Sequence, residues 1–421
     1  MRVLLVNTMD GGGAANACLR LHDGLVNNQI ESGVLFFIKS KKNINYYQFS
    51  KPIKKKTKLD RIRRRVKSKL KWLGVLSMRS LSNSDFQESR NRNLELFTFP
   101  NSDFDITESE FYKKADIINL HWVANFLDYS TFFKKNTKPV VWTLHDMNPF
   151  TGGEHYTEEY IGIEEVGVPK PRVVSENEKE IFKKVLKIKS EALKDCNNLH
   201  VVSLCNWMTE EVKKSELFSK FPVHQIPNGI DYSIFKPRDQ NFSREIIGVP
   251  EGKRIILFVA ESVANTRKGF SFLLDALNKI RSENYVLVAA GESNEKIEAL
   301  ENIIVLGSIA NERLMSLIYS AADVFVIPSL MDNLPNTVLE SLMCGTPVIG
   351  FPIGGIPDMI QHGENGLLTK EVSSFALANS IDEFLENSDL FNREKIRENA
   401  VLKYSLEVQA KAYTKLFKNI L

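Results

Sequence analysis

Short apolar runs alternate with amphipathic stretches along most of this chain. Runs at residues 3–7, 34–38, 116–120, 140–144 and 200–203 are rich in Val, Ile and Leu and end in polar or turn residues, the pattern of buried strands. Residues 16–27 and 178–194 repeat apolar positions at three- and four-residue spacing and predict helices. A second set follows Ile226-Pro-Asn-Gly-Ile-Asp231, with strands predicted at 254–260, 285–290, 303–306, 324–327 and 347–351. Helices are predicted between them at 270–280, 312–320 and 336–344. Repeated strand–helix units with short connections mean parallel sheets covered by helices. The expected fold class is α/β, with two Rossmann-like doubly wound domains over residues 1–235 and 236–405 facing a central cleft. The stretch 156–174 is rich in Glu and Gly and reads as a loop at that cleft.

A length of 421 residues exceeds one ordinary core and agrees with two domains. Four scattered cysteines, Cys18, Cys196, Cys205 and Cys344, lack metal-ligand spacing and argue for a reducing compartment. The opening residues are too short an apolar run for a secretory signal core, and no run is long enough to span a bilayer, so a cytoplasmic location is expected. Net charge is only +3, yet residues 51–71 hold twelve Lys or Arg against Asp60 alone, or +11, leaving 3 − 11 = −8 elsewhere. Apolar residues at three- and four-residue spacing make this segment a basic amphipathic helix. Lys54, Lys55, Lys56, Arg61, Arg63, Arg64 and Arg65 would then suit an anionic membrane surface, placing the protein peripherally on its inner face. A solvated helix packed on its own domain explains the segment equally well. Nucleic acid is not expected as a partner, because no aromatics are interleaved as stacking platforms.

The densest chemistry lies in Pro328-Ser-Leu-Met-Asp332-Asn-Leu-Pro-Asn-Thr-Val-Leu-Glu340. A buried strand ends at Pro328, a turn follows, and a helix starts near Asn336. Val338, Leu339, Leu342 and Met343 share one face of that helix, while Asn336, Thr337 and Glu340 share the other. Polar groups thus gather where a strand's carboxyl end meets a helix amino terminus, the ligand-binding edge of open parallel sheets. Upstream, Arg267-Lys268-Gly269 offers two cations on a flexible backbone. Gly11-Gly12-Gly13 follows the first strand and lets backbone approach a phosphate or sugar. A nicotinamide-dependent reading of this loop fails at Asn16, where the dinucleotide fingerprint needs its third glycine.

The two acids eight positions apart, with the following Gly345-Thr-Pro-Val-Ile-Gly350, Gly354-Gly-Ile-Pro-Asp358 and Gly363-Glu-Asn-Gly366, resemble the acid-x7-acid signature of retaining GT-B glycosyltransferases of family 4 type. The stretch from Trp142 through His145-Asp146-Met147 to Tyr156 resembles exopolysaccharide and colanic-acid-type members. This resemblance implies a GT-B fold, with helix 406–421 returning to the first domain, and a nucleotide-sugar donor, UDP- or GDP-linked, with no other cofactor and no metal. It implies that Asp332 and His145 contact the donor sugar, with His145 donating to a hydroxyl, while amides near Asn333 and Leu334, with Arg267 and Lys268, meet the diphosphate. Glu340, beside Thr337, would take the ribose; Gly307 and Ser308 would lie at the base; Gly12 and Gly13 would face the diphosphate across the cleft. Lys268 joins His145 and Asp332 as a catalytic candidate. His121, Trp122 and His155 are expected on the acceptor side, and Asp146 as a buttress. Asp332 stands where the family usually has Glu, and Val263 where it usually has Arg.

The implied activity is hexosyl transfer to a saccharide or lipid-linked acceptor in surface-polysaccharide synthesis, with retention. Two alternatives remain: a sugar phosphorylase or hydrolase on the same fold, and a non-catalytic membrane- or polyanion-binding protein on that scaffold.

Overall fold

A computed structural model describes residues 1–49, 86–293 except 88 and 92, residue 297, and 302–421. The basic segment 51–71 lies outside the described residues. Strands β1 (Arg2–Met9), β2 (Glu31–Ile38), β3 (Tyr46–Gln48), β4 (Ile117–Leu120) and β5 (Val140–Thr143) come first. They are followed by β6 (Tyr160–Ile163), β7 (Pro169–Pro171), β8 (Leu199–Ser203) and β9 (Val223–Gln225). Among the described residues, seven of these form a parallel sheet in the order β3-β2-β1-β4-β5-β8-β9. The second half contributes β10 (Arg254–Ser262), β11 (Tyr285–Glu292), β12 (Ile303–Gly307), β13 (Val324–Ile327), β14 (Val348–Gly350) and β15 (Gly366–Leu368). These build a second parallel sheet in the order β12-β11-β10-β13-β14-β15.

Strand β1 shows why the sheets are buried on both faces. Leu4 and Val6 join the main core, whereas Val3 and Leu5 pack with Tyr413, Leu416 and Phe417 of helix Leu406–Ile420. That helix crosses the helix Gly13–Asn27 so closely that a Cβ on Gly24 would lie 3.1 Å from Ala410 Cβ. The chain therefore passes between the layers twice, and the two passages bond to each other. Ile230 N donates to Tyr404 O (2.8 Å), and Leu406 N donates to Ile230 O (3.2 Å).

Three short strands, β3, β9 and β15, fall outside the elements expected from the sequence, since each is only three residues long. The stretch 156–174 is corrected too. It carries the antiparallel pair β6–β7, which lies over the second layer: Ser374 N donates to Gly167 O (2.9 Å), and a Cβ on Gly162 would lie 3.7 Å from Thr266. Among the described residues no helix is long and apolar enough to cross a membrane.

Candidate active site

The second layer supplies a charged cluster at the carboxyl end of β13. Gly269, at φ 72°, sits so tightly that a Cβ would fall 1.8 Å from Pro328 O, which seats the loop 265–269 directly on the end of that strand. Lys268 Nζ donates to Asp332 Oδ2 at 2.6 Å, Ser329 Oγ to the same atom at 3.2 Å, and Arg267 Nη1 approaches it at 3.5 Å. Arg267 also donates through Nη1 to Met331 O (2.6 Å) and through Nε to Glu95 Oε1 (2.6 Å), and lies over the Tyr156 ring. Burial opposes the charge of Asp332, but Lys268 and Arg267 outweigh it and hold the carboxyl below its usual range. For Lys268, burial wins over Asp332 and lowers the ammonium. Asn333 and Leu334 are buried beside this cluster, and their backbone N–H groups have no acceptor among the described residues. They precede helix Asn336–Met343, so two open donors sit at a helix amino terminus. Val263 is 1% exposed and lies beside the end of β11, its N–H donating to Glu292 O (2.8 Å).

Glu340 is buried, because a cation from the other layer covers it. Arg20 Nη2, from helix Gly13–Asn27, donates to Glu340 Oε1 (2.7 Å) and to Glu312 Oε1 (2.6 Å). Tyr319 OH donates to Glu340 Oε2 (3.2 Å). Burial raises the Glu340 carboxyl above its ordinary value, against the opposing pull of Arg20. The glycine loop lies on the same junction. Gly12 takes φ 88° and opens the helix carrying Arg20; its Cβ would lie 3.9 Å from Glu261 of β10. Gly13 O accepts from Asn336 Nδ2 at 3.0 Å. Thr337 is half-buried on the same helix; Gly307 and Ser308 close the edge strand β12, with open space beside Gly307.

The first layer's rim carries the histidines. A small pocket there is lined by Phe99, His121, Trp122, His145, Asp146 and His155, among others. Asn119 fixes the proton pattern. Its Nδ2 donates to Val141 O (3.1 Å) and Thr143 Oγ1 (3.0 Å), so its Oδ1 must accept from His121 Nε2 (3.1 Å). Burial drives His121 well below its ordinary pKa and His145 down to about 4, so both rings are neutral. His121 Nδ1 therefore accepts from His145 Nε2 (2.8 Å), and the free nitrogen of His145 is Nδ1, a lone pair. In this tautomer His145 offers an acceptor, in place of the donor expected from the sequence, to a neighbouring hydroxyl. Asp146 buttresses the loop, accepting from Trp122 Nε1 (2.9 Å) and Asn148 N (2.9 Å) and pairing with His155 Nδ1 (2.5 Å). Beneath the loop, wholly buried Lys189 donates to Asn148 O and to Thr151 O (3.0 Å), with its ammonium over the Tyr129 ring. The rim and the charged cluster meet at Asn333, whose Nδ2 donates to Leu144 O (2.9 Å) and His145 O (3.2 Å) across the junction.

Sequence reasoning missed Arg20, Asn119 and Glu95. Arg20 and Asn119 carried a signal, a charge inside Cys18-Leu-Arg-Leu-His22 and an amide inside Ile117-Ile-Asn-Leu120. Glu95 carried none, since only the fold brings it to Arg267.

Superposition on solved structures decides the architecture. Sucrose-phosphate synthase from Thermosynechococcus elongatus matches 100% of this chain and 99% of its own at TM-score 0.69 and 17% identity. The fold is GT-B. Anabaena HepE in complex with UDP and glucose gives TM-score 0.66 at 15% identity, covering 99% of each chain. Within this GT-B chain, residues 239–402 match the family described as glycosyl transferases group 1. An uncharacterised glycosyltransferase of Methanocaldococcus jannaschii is 29% identical over 54% of this chain and 62% of its own. A putative teichuronic acid biosynthesis glycosyltransferase of Bacillus subtilis is 29% identical over 44% and 46% respectively. The GT-B chain thus spans less than two thirds of these curated relatives, and the family-matched residues 239–402 include Lys268, Asp332 and Glu340.

Proposed function

We propose that this chain transfers a hexosyl group from a nucleoside-diphosphate sugar, UDP- or GDP-linked, to a saccharide or lipid-linked acceptor in surface-polysaccharide synthesis. The observation that carries the reading is the junction of Lys268 and Arg267 with two open amides just before a helix whose Asn336 bonds Gly13 O of the glycine loop. As the glycosidic C–O bond breaks, negative charge grows on the leaving diphosphate. Fixed cations and N–H groups aimed there stabilise the transition state more than the bound donor. In this reading Lys268 and Arg267 exchange part of their contact with Asp332 for the diphosphate, and Asn333 and Leu334 donate to its oxygens without reorganisation. Asp332 turns to the sugar hydroxyls, His145 Nδ1 accepts from another, and Glu340 takes the ribose. The acceptor enters by the pocket of His121, Trp122 and His155. Neutralisation needs no metal, and retention follows a front-face displacement in which the leaving diphosphate takes the acceptor's proton.

The UDP and glucose held by HepE and the teichuronic acid role named for the Bacillus relative support the choice of donor and product class. The test is incubation with labelled UDP- and GDP-hexoses and saccharide or polyprenyl-phosphate-linked acceptors. Label in the acceptor is expected, at a rate about 10²–10³-fold lower with Lys268→Ala. Label only in free sugar or sugar phosphate favours the hydrolase or phosphorylase, and no binding of either nucleotide favours the non-catalytic scaffold.

A further inference from the structure

Arg20 stands out among the buried charges. It belongs to the first layer, yet both its carboxylate partners belong to the second. Its side chain is only 7% exposed and its guanidinium carbon lies 5.2 Å from the centre of the Phe235 ring. Nη1 is buried with no hydrogen-bond partner. A buried guanidinium with an unused donor costs stability unless something else uses it. The same helix starts at the glycine loop, so one rigid element carries both that loop and the cation on Glu340.

An ionised carboxylate has about four acceptor sites. On Glu340, Arg20 takes one on Oε1 and Tyr319 one on Oε2. One lone pair on each oxygen is left, the spacing a vicinal diol requires. We propose that Arg20 is a positioning residue for the donor's ribose, holding the Glu340 carboxylate across the cleft so that its two remaining lone pairs take the ribose hydroxyls. This rests on the nucleotide reading given above and adds to it a residue from the opposite layer. Closure of the cleft and ribose recognition are then one event, because the ribose carboxylate is complete only when the first layer delivers Arg20.

The consequence appears in pH dependence. The groups facing Glu340 are Arg20 from the first layer, Glu312 and Tyr319 from helix Glu312–Ala321, and Cys344 at the end of its own helix. Arg20 is the cation among them. Without it, burial and Glu312 favour the protonated carboxyl, which cannot serve two hydroxyls. Asp23 lies near Glu312 and is itself pushed up to about 6 by burial and neighbouring carboxylates. It is present in every variant, so comparison between variants cancels it.

The experiment is calorimetric titration of the full chain with UDP and GDP and their 2′-deoxy forms between pH 6 and 8. For whichever base binds, wild type should show only the pH dependence of the diphosphate's own ionisation and lose about tenfold on 2′-deoxy substitution. Arg20→Met should bind more weakly, lose a further tenfold or so relative to wild type from pH 8 to pH 6, and distinguish the deoxy form at pH 8 but not at pH 6. Adding Glu340→Gln to Arg20→Met should abolish that extra pH dependence, with affinity at pH 8 falling to the level Arg20→Met shows at pH 6. Arg20→Gln carries the same expectation where Arg20→Met does not fold. Wild-type affinity, pH profile and deoxy discrimination in the Arg20 variants overturn the role of Arg20 alone. Failure of wild type to bind either nucleotide overturns the nucleotide reading and this inference with it.

Discussion

Replacing Lys189 by Met tests the buried framework under the histidine rim. The ammonium is wholly buried, and burial lowers it to about 7 from an ordinary 10.5, with Asp146 opposing. In the unfolded chain the lysine binds its proton up to about pH 10.5, whereas in the fold it releases it near 7. Between those values the unfolded state holds more protons, so stability rises with pH, by about 1.4 kcal/mol per unit at most. The full window of roughly 3.5 units corresponds to about 5 kcal/mol, absent above pH 10.5 and constant below 7. Lys189→Met removes that slope. It also strips Asn148 O and Thr151 O of a donor, an offset of about 1–3 kcal/mol each that does not vary with pH. Urea unfolding of both proteins at pH 7.5 and 9.5 separates the two effects. The wild type should gain about 2–3 kcal/mol over the variant across that interval. Parallel curves would mean that Lys189 keeps its proton in the fold at alkaline pH, and the reasoning would fail.

Three further outcomes are expected. Lys268→Ala should lower hexosyl transfer by about 10²–10³-fold, read as initial rate at saturating donor, because it removes a fixed charge from the departing diphosphate. A loss below fivefold would place that charge elsewhere. Asn119→Leu should free the His121–His145 pair from its fixed tautomer, so ¹⁵N spectra of labelled histidine should lose the unprotonated Nδ1 signal of His145 while transfer falls; an unchanged spectrum contradicts the relay. Gly269→Ala forces φ 72° on alanine and drives a Cβ to 1.8 Å from Pro328 O, so the loop carrying Arg267 and Lys268 must move. The backbone strain alone is about 1–3 kcal/mol; a melting temperature within one degree of wild type and unchanged nucleotide binding would show that this close contact is not needed.

The layered α/β architecture was legible because its longer strands are continuous apolar runs, as parallel strands buried on both faces must be. Strand β13 was read residue for residue. Strands β3, β9 and β15 were not, since three residues at a sheet edge carry too little pattern to separate from a loop. The pairing of Lys268 with Asp332 follows from their loops ending neighbouring strands, β10 and β13. What lay beyond the sequence was which charges meet across the junction. Arg20 is 292 positions from Glu312 and 320 from Glu340, and Glu95 is 172 from Arg267; no local rule links such residues. The tautomer of the His121–His145 pair also depends on a residue outside the motif, an amide two residues before His121 that bonds its Nε2.

The paired passages at Ile230 and Ser405 limit how this molecule can move. Two chain segments that are joined by hydrogen bonds and leave one layer side by side behave as a single pivot, not as two tethers. Swinging about that line is cheap, whereas twisting or sliding would tear both bonds. The β6–β7 pair is fastened to the second layer at Gly167 and Ser374, so a wide swing of the layers has to break that bond. Trimming the chain before Leu406 would take away one of the two pivot bonds, Leu406 N to Ile230 O, together with Tyr413, whose hydroxyl meets Thr143 under the histidine rim. A truncated tail would therefore be felt first as loose alignment between the halves, with the chemistry of each half left intact.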